Sequence, residues 1–494
     1  MKTKLAIITT LWLSLTGCHN MLDVDPYTFS AGDNYYETEE QMLRAVNGAY
    51  GALQALYTSD FWAMAEMRAD NTNYQYNEAD RGAQQREEID EFLITSTNNY
   101  VNTIWARLYT NIHQSNAILA RIDEVEFADE NTRQQYGGEA KFLRALHYFH
   151  LVRLFGDVPL ILEEVGSPSD AFTEERTPVD LVYEQIIKDA SEAAESLPAE
   201  YASDADKGRA TKGAALTLLG EVYLTRKDYA TAVETLTEVT TLGYSLVADY
   251  ASVFSPSNKN NSESVFEVQY DAGLETEFSN YIFIFGPKDG KPDLTGFNGN
   301  LGGNNIPTPS IVNAYQAGDE REAASVAYYD AASSANYEES EAFGGRLPFI
   351  KKFYHPPYAL DGRANENWPV YRYAHVLLML AEAINESGSG NAYQYLNEVR
   401  QRAGLSPLSG LGQDQLREAI HHEQRVELAF ENHRWFQLLR TGNAMEVMTQ
   451  HGIEEKQRLS RLSEASYNIQ EHKLLFPIPD REVRLNGFEQ NAGW

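Results

Sequence analysis

Residue types that carry out chemistry are abundant in this sequence, but they do not fall into a catalytic spacing. His421, His422 and Glu423 match the first part of a zinc-protease motif, yet that motif needs a second histidine four residues after His422, where the chain has Val426. Neither a GxxxxGK[ST] phosphate loop nor a GxSxG nucleophile elbow occurs. The 72 Asp and Glu residues do not single out a carboxylate pair for glycoside hydrolysis. The sequence therefore predicts no catalytic residue, no metal site and no cofactor.

A run of alternating charges follows these histidines. Its members are spaced three and four residues apart, which predicts ion pairs along one helix, each contributing only about 0.2–0.5 kcal/mol. The same side chains would contribute more if they were buried, and they would then order the packing between the two halves of the chain. They are Glu423, Arg425, Glu427, Glu431 and Arg434.

The polar segment after Asp70 alternates aromatic rings with amides. Rings cover the C–H faces of a sugar, while Asn, Asp and Arg side chains bond its hydroxyl groups. This combination predicts ligand contacts, although ordinary packing also explains rings at these positions. The candidate contacts are Asp70, Asn73, Tyr74, Tyr76 and Arg81.

A second group of candidates lies in the loop from Phe278 to Asn305, which is rich in glycine, asparagine and aromatic residues. Long loops in compact proteins often carry function. The candidates in this loop are Tyr281, Phe297 and Asn298. A third candidate site is Trp368, which precedes Pro369 and a buried helix.

The N-terminus predicts a lipid anchor. Lys2 and Lys4 precede a short apolar run from Leu5 to Leu15, which has the length of a signal peptide and is too short for a membrane span. Small residues then precede Cys18, the only cysteine of the chain. This pattern matches the bacterial lipobox, so residues 1–17 are predicted to be removed and the Cys18 thiol acylated. A disulfide within the chain is impossible.

Composition excludes several classes of partner. The net charge of −32 repels nucleic acid and anionic lipid headgroups, so contact with the membrane is predicted through the lipid alone. The length of 494 residues predicts two or more subdomains or a repeat array. The 30 tyrosines suit either core packing or ring platforms for a flat, hydroxylated ligand.

Helical periodicity dominates outside the long loops. The run from Glu139 to Phe155 has an apolar stripe wider than half its circumference, which predicts a buried helix that ends at Gly156. Thr38 with Gln41 predicts a capping box, and Thr177 with Pro178 predicts another helix start. The spacing of small and large residues in 209–244 predicts a tetratricopeptide-like helix pair.

Residues 250–352 differ from the rest because they are rich in Gly, Asn, Ser and Pro. We interpret them as a loop-rich insert with short β elements, including strand-like pieces at Val265–Tyr270 and Tyr281–Phe285. The predicted organisation is a signal peptide at 1–17, an N-terminal helical domain at 18–245, and a C-terminal domain at 246–494 that contains the insert. The fold class is mostly α.

Five stretches resemble the SusD/RagB family of outer-membrane nutrient-binding lipoproteins in order and spacing. They are the lipobox at Cys18, residues 139–160, the helix pair at 209–240, residues 371–385 with 396–404, and residues 422–440 with the Leu475–Pro479 and Gln490–Asn491 ending. Ala492 departs from the family pattern, in which many members have proline. The resemblance implies a right-handed helical body with tetratricopeptide-like units, a ligand surface built on loops, and a SusC-like TonB-dependent barrel as partner.

The resemblance favours a surface-exposed, lipid-anchored protein of the outer membrane that captures oligosaccharide or polysaccharide without a chemical step and delivers it to the barrel. A peptide-binding protein of the RagB type is the first alternative. An all-α glycoside hydrolase is a further alternative. A tetratricopeptide scaffold for protein complexes is another, against which the lipobox and the long aromatic loops argue. Turnover on a polysaccharide panel separates the hydrolase from the binder.

Overall fold

A computed structural model describes residues 36–494, except residues 60, 80, 82–83 and 166–174. Cys18 and the predicted signal peptide lie outside the described residues. Helices dominate, so the predicted mostly α fold class is confirmed. None of the described helices combines the length and the apolar character that a membrane span requires.

The N-terminal half is built from long helices that pack on their neighbours in sequence. Helix α1 contacts α3, and α3 to α7 pack one against the next, as expected for stacked helical units. The helices are α1 (Glu39–Tyr57), α2 (Gln84–Asp90), α3 (Asn99–Arg121), α4 (Glu130–Phe155), α5 (Val179–Ser196), α6 (Lys212–Thr225) and α7 (Tyr229–Val239).

The described helices in the insert between α7 and residue 368 are all short. A longer set then closes the body, with α12 packed on α7, α13 and α14. The helices are α8 (Tyr281–Phe285), α9 (Lys291–Thr295), α10 (Pro309–Val312), α11 (Glu320–Ser325), α12 (Tyr373–Ser387), α13 (Ala392–Arg402), α14 (Gln413–Glu427), α15 (Arg434–Thr441), α16 (Ala444–Arg458) and α17 (Asp480–Asn486).

The strands form four antiparallel pairs, β1 with β5, β2 with β3, β4 with β8 and β6 with β7. They are β1 (Thr72–Asn73), β2 (Val158–Pro159), β3 (Arg176–Thr177), β4 (Ser264–Val268), β5 (Ile306–Pro307), β6 (Val326–Tyr329), β7 (Leu347–Ile350) and β8 (Trp368–Arg372). One continuous apolar core runs from Met42 to Phe488. The division at residue 245 remains a prediction.

Helix α4 is the buried helix that the sequence predicts. It begins at Glu130, nine residues before the predicted start, and ends at Gly156 with φ 75°. The arginines Arg144 and Arg153 on this helix do not face solvent. Arg144 pairs with Asp189 of α5, and Arg153 pairs with Glu221 of α6, each at 2.8 Å. Helix α4 is therefore tied to its neighbours by buried ion pairs as well as by its apolar stripe.

Two helix starts have different outcomes. The Thr38 capping box is confirmed, with Gln41 N donating to the Thr38 hydroxyl at 3.2 Å and Thr38 N donating to Gln41 Oε1 at 3.0 Å. The prediction that Thr177 caps α5 is wrong, because Thr177 belongs to strand β3 and Pro178 is the capping position. The Asp157 carboxylate supplies the missing acceptor, since Val179 N donates to it at 2.8 Å.

The close approach of α6 and α7 follows from a glycine. A Cβ atom on Gly220 would lie 2.4 Å from a methyl carbon of Leu236, so only a hydrogen fits between the helices there. The small residues of this predicted pair thus act as expected at Gly220. By contrast, Tyr281–Phe285 is a short helix, so its interpretation as a strand is wrong. A short apolar run fits both structures by periodicity, and here Ile284 N donates to the Asn280 carbonyl at 3.1 Å.

Candidate functional site

The structure joins the two polar loops that the sequence singles out. Strand β1, which follows Asp70, pairs with β5, which ends the loop that begins at Phe278. Beyond the strands, Gln75 N donates to the Gly303 carbonyl at 2.7 Å, and Lys288 N donates to Gln75 Oε1 at 2.8 Å. Residues 71–81 and 278–305 therefore form one surface, which we call the paired-loop surface.

Tyr76 and Arg81 lie on this surface. Arg81 is exposed, and its guanidinium carbon is 4.9 Å from the centroid of the half-buried Tyr76 ring. The Tyr76 hydroxyl donates to Glu78 at 2.6 Å, while Arg81 pairs with Glu87 at 2.7 Å. The ring of Tyr76 is thus fixed in place by a cation and a carboxylate.

A third part of the chain holds the first loop from behind. Arg461 donates to the Tyr74 carbonyl at 3.2 Å and to Glu339 at 3.1 Å, and its guanidinium carbon lies 5.3 Å from the Tyr76 ring centroid. Glu339 in turn accepts from Tyr76 N at 3.2 Å. Because Arg461 is 7% exposed, it acts as a buried support for the loop.

The second loop presents further rings. Asn298 is exposed and Phe297 is half-buried, as is Phe283. The Phe283 ring meets the half-buried Tyr358 ring edge-on at 5.6 Å, and Lys291 Nζ lies 5.9 Å from the Phe283 centroid. Tyr358 was missed by the sequence analysis, and its only signal was a ring within the turn-rich stretch 354–363. These side chains offer ring faces beside amide and charged groups.

Five sequence-predicted contacts are buried, so in this structure they present no surface to a ligand and the hypothesis is corrected for them. Trp368 stacks on Phe353 at 4.9 Å, and the Tyr281 hydroxyl donates to that of Tyr270 at 3.1 Å. Their apolar faces are used inside the core. All five are no more than 3% exposed: Asp70, Asn73, Tyr74, Tyr281 and Trp368.

Asp70 shows why a polar residue is buried here. Its carboxylate pairs with Arg434 at 2.8 Å and with Arg425 at 2.9 Å. Burial alone would raise the pKa of Asp70, but the two guanidiniums outweigh burial and hold that pKa below its ordinary value. Asp70 is therefore an ionised tie, at neutral pH, between the N-terminal loop and α14–α15.

Asn73 and Tyr74 are likewise held internally. Asn73 Nδ2 donates to Glu455 at 2.9 Å, and the Tyr74 hydroxyl donates to Glu91. Burial raises the pKa of Tyr74 far above its ordinary value, against the opposing effect of Arg461. Both side chains shape the loop from below, while Tyr76 and Arg81 face outward.

A second polar cluster lies in the core, where ligand atoms of Glu221, His375 and His433 are within 4.8 Å of one another. Both carboxylate oxygens of Glu221 already accept hydrogen bonds, from Arg153 at 2.8 Å and from the Tyr371 hydroxyl at 2.7 Å. Burial, reinforced by nearby arginines, lowers the pKa of His375 to about 3. A bound cation would lie among the same positive charges, so this arrangement does not favour a metal site.

A cavity of about 500 Å³ lies elsewhere, next to α3 and α17, and no sequence-predicted contact lines it. It adjoins Val165, the last described residue before the gap at 166–174. Its lining is mostly apolar and includes the polar residues Thr110, His113, Asn116, Glu482 and Asn486. The lining residues include Trp105, Tyr109, Ile112, His113, Asn116, Pro159, Ile161 and Phe488.

The described residues thus define a mostly helical protein with a loop-built surface that presents aromatic and polar side chains. Two family models match the chain, one described as "SusD family" over residues 345–494 and one as "Starch-binding associating with outer membrane" over residues 21–224. The chain belongs to the SusD family. The residues between the two matched ranges, 225–344, include most of the loop-rich insert.

Relatives and solved structures agree with this assignment. The SusD-like protein P2 of Formosa agariphila is 30% identical, with 98% of each chain covered. The starch-binding protein SusD of Bacteroides thetaiotaomicron is 26% identical over 53% of this chain and 49% of that protein. A laminarin-binding SusD-like protein has a TM-score of 0.77 and 27% identity, covering 93% of this chain and all of its own. A SusD homologue from Bacteroides thetaiotaomicron has a TM-score of 0.79 and 25% identity, with 94% and 98% covered.

Proposed function

We propose that this chain is a lipid-anchored protein of the outer membrane that faces the cell exterior, binds oligosaccharide or polysaccharide without a chemical step, and delivers it to a SusC-like TonB-dependent barrel. The observation that carries the proposal is the pairing of two loops into one surface with half-exposed rings beside amide and charged groups. The laminarin-binding structure and the starch-binding relative share this chain's family and support a glycan ligand.

The proposed contacts are the outward-facing members of the paired-loop surface. Tyr76, Phe283 and Phe297 supply ring faces, and Asn298 supplies an amide that can both donate and accept. Arg81 and Tyr358 complete the set. Binding energy would come from buried ring faces and from hydroxyl hydrogen bonds, which suits a protein that must release its ligand to a transporter.

The direct test is a combined glycan and peptide array on the protein lacking residues 1–18, followed by affinity electrophoresis in gels that contain the best glycan. We expect retention by one or more glycans and no new reducing ends after prolonged incubation. Binding to peptides alone would favour the RagB-like alternative, and product release would favour a hydrolase. Mass spectrometry of membrane fractions tests the anchor, which requires an acylated Cys18 and loss of residues 1–17.

The partnership with the barrel has its own test. The acylated chain, expressed with a candidate SusC-like TonB-dependent barrel, should co-purify with that barrel through a tag on either protein. A chain that purifies alone from solubilised membranes, under conditions that keep the barrel folded, would contradict delivery to that transporter.

A further inference from the structure

Each described cation of the paired-loop surface already has a partner. In the described part of 71–81 and 278–305, Arg81 pairs with Glu87 at 2.7 Å, and Lys291 pairs with Asp361 at 2.9 Å. Lys288 is buried and is also engaged. Proteins recognise carboxylate, phosphate and sulfate groups through charge-assisted bonds from Arg and Lys. These three cations are therefore poorly placed to bind an anionic sugar.

Three carboxylates on the same loops have neutral hydrogen-bond donors. Glu78, Asp289 and Asp293 accept hydrogen bonds from tyrosine hydroxyls, at 2.6 Å from Tyr76, 2.9 Å from Tyr337 and 2.8 Å from Tyr329. A phenol hydroxyl orients a carboxylate without removing its negative charge. The exposed residues Glu275 and Glu277 add two more charges immediately before Phe278. The surface is consequently net negative, like the whole chain.

A polyanionic glycan carries negative charges along its repeating sugars, and the net negative surface would repel those charges. Two like charges 4 Å apart in water repel by about 1 kcal/mol, and salt weakens the repulsion. An uncharged glycan avoids this cost while it makes the same contacts with rings and amides. Charge therefore distinguishes two glycans that share a backbone.

We propose that the paired-loop surface selects uncharged glycans and rejects glycans that carry uronate or sulfate groups. This inference rests on the proposed function, because it assigns a ligand class to the same surface. Two arginines outside the loops donate to backbone carbonyls, and these are the cations that a bound anionic group would contact. Arg363 bonds the Leu274 carbonyl and stacks on Phe278, and Arg346 bonds the Phe343 carbonyl.

The test uses pairs of polymers that share a backbone and differ in charge, namely laminarin with carboxymethylated laminarin and hydroxyethylcellulose with carboxymethylcellulose. Dissociation constants come from affinity electrophoresis at low and high salt. For each backbone that is bound, we expect affinity for the charged polymer to be about tenfold or more weaker at low salt, with a smaller difference at high salt.

A charge-reversal variant locates the effect. Glu275→Lys/Glu277→Lys should strengthen binding to the charged polymer several-fold and leave binding to the neutral one unchanged. The matched control is Glu195→Lys/Glu234→Lys, which makes the same change in net charge at exposed positions on α5 and α7. An equal gain in affinity for the charged polymer in the control variant would show that the net charge of the protein alone determines this affinity. That result would overturn the assignment to this surface.

The two proposals fail differently. Retention by none of the neutral or charged glycans would remove the proposed function and this inference with it. Binding to a charged polymer as tight as to its neutral partner, lost at high salt and in Arg363→Gln, would overturn the inference and leave the proposed function standing.

Discussion

The backbone amide of Gln75 donates to the carbonyl oxygen of Gly303 at 2.7 Å, and this bond joins two loops that are more than 200 residues apart in sequence. Because the bond is between backbone atoms, it sets the spacing of the loops without fixing the side chains beside it. The outward-facing rings can therefore differ between relatives while the scaffold beneath them stays the same. This arrangement leads to the first prediction.

Replacing one outward-facing ring should weaken glycan binding without unfolding the protein. Phe297→Ala and Tyr358→Ala remove half-buried rings, and each should reduce affinity by about three- to tenfold, since ring contacts contribute about 0.5–1.5 kcal/mol beyond area burial. Affinity electrophoresis measures the change. The control is Leu181→Ala, an apolar residue on α5 that is 48% exposed. Unchanged affinity in both ring variants would remove these contacts from the site.

Asp70→Asn should destabilise the protein rather than impair a ligand contact. The substitution leaves Arg425 and Arg434 buried beside a neutral group, which costs about 3–5 kcal/mol. The folded pKa of Asp70 is below its unfolded value, so its contribution is present above the unfolded pKa and is lost as pH falls. Urea unfolding at pH 7 and at low pH should show a gap between wild type and variant that narrows in acid.

Asp180→Asn is the matched control for this prediction. Asp180 pairs with Arg226, but its side chain is 69% exposed, so its loss should change stability by less than about 1 kcal/mol. A similar loss in both variants would contradict a special role for the buried pair. A stable Asp70→Asn protein with reduced glycan affinity would restore Asp70 as a candidate contact.

Glu66 gives the opposite dependence on pH. Its buried carboxylate accepts hydrogen bonds at 3.0 Å from Phe430 N and Asn432 N, yet burial outweighs these donors and raises the pKa from 4.5 to about 7. Between these values the unfolded state has released a proton that the folded state retains. Folding stability should therefore fall by up to about 3 kcal/mol as pH rises through this window.

Glu66→Gln isolates this contribution, because the amide is isosteric and does not titrate. The difference in unfolding free energy between wild type and variant should fall between pH 5 and pH 7 and then level off. Urea titrations at half-unit pH steps provide the measurement. A difference that stays constant across this range would mean that Glu66 is ionised throughout.

Glu427→Gln tests the buried ion network. Glu427 lies 3.0 Å from both Arg321 and Arg372 and also pairs with Arg402, and its side chain is not exposed. Removing the charge should cost about 3–5 kcal/mol. Glu40→Gln breaks an exposed pair with Arg44 and should cost less than about 0.5 kcal/mol. Thermal melts of the two variants should separate clearly, and equal melting temperatures would contradict the prediction.

Two helical glycines should respond in opposite directions to the same substitution. Gly220→Ala places a methyl group 2.4 Å from Leu236 and should cost about 1–3 kcal/mol. Gly48→Ala, within α1, meets nothing within 4 Å and should stabilise the protein by about 0.5–1 kcal/mol, because alanine favours a helix. Unfolding free energies check both signs, and a loss in Gly48→Ala would show that α1 needs its glycine.

The sequence was sufficient where local chemistry decides the structure. The wide apolar stripe of α4, its end at Gly156 and the capping box at Thr38 depend on residues within a few positions of each other, and each was predicted. The paired-loop surface was predicted only in part. Its two segments were singled out, but their pairing depends on contacts between distant residues, which composition does not encode.

The errors about which side chains face solvent and which partners they bind share one physical cause, which is burial by distant segments. Glu423, Glu427 and Glu431 were expected to pair along their own helix, yet that helix ends at Glu427 and they instead pair with residues including Arg321, Arg372 and Lys352. Trp368 and Tyr281 have the composition of a sugar platform but pack against each other at 4.9 Å. Only the fold decides whether such a ring faces solvent or the core.

The long-range ties around Glu66 bear on how the chain is made. The hydrogen bond between Glu66 and Phe430 N cannot form until Phe430, 364 positions later, has been synthesised. The bond from Arg68 to the Lys473 carbonyl likewise needs a residue 405 positions later. A ribosome releases the early segment long before either partner exists. The N-terminal helices therefore leave the ribosome without their closing contacts, and the nascent protein completes its fold only near the end of translation.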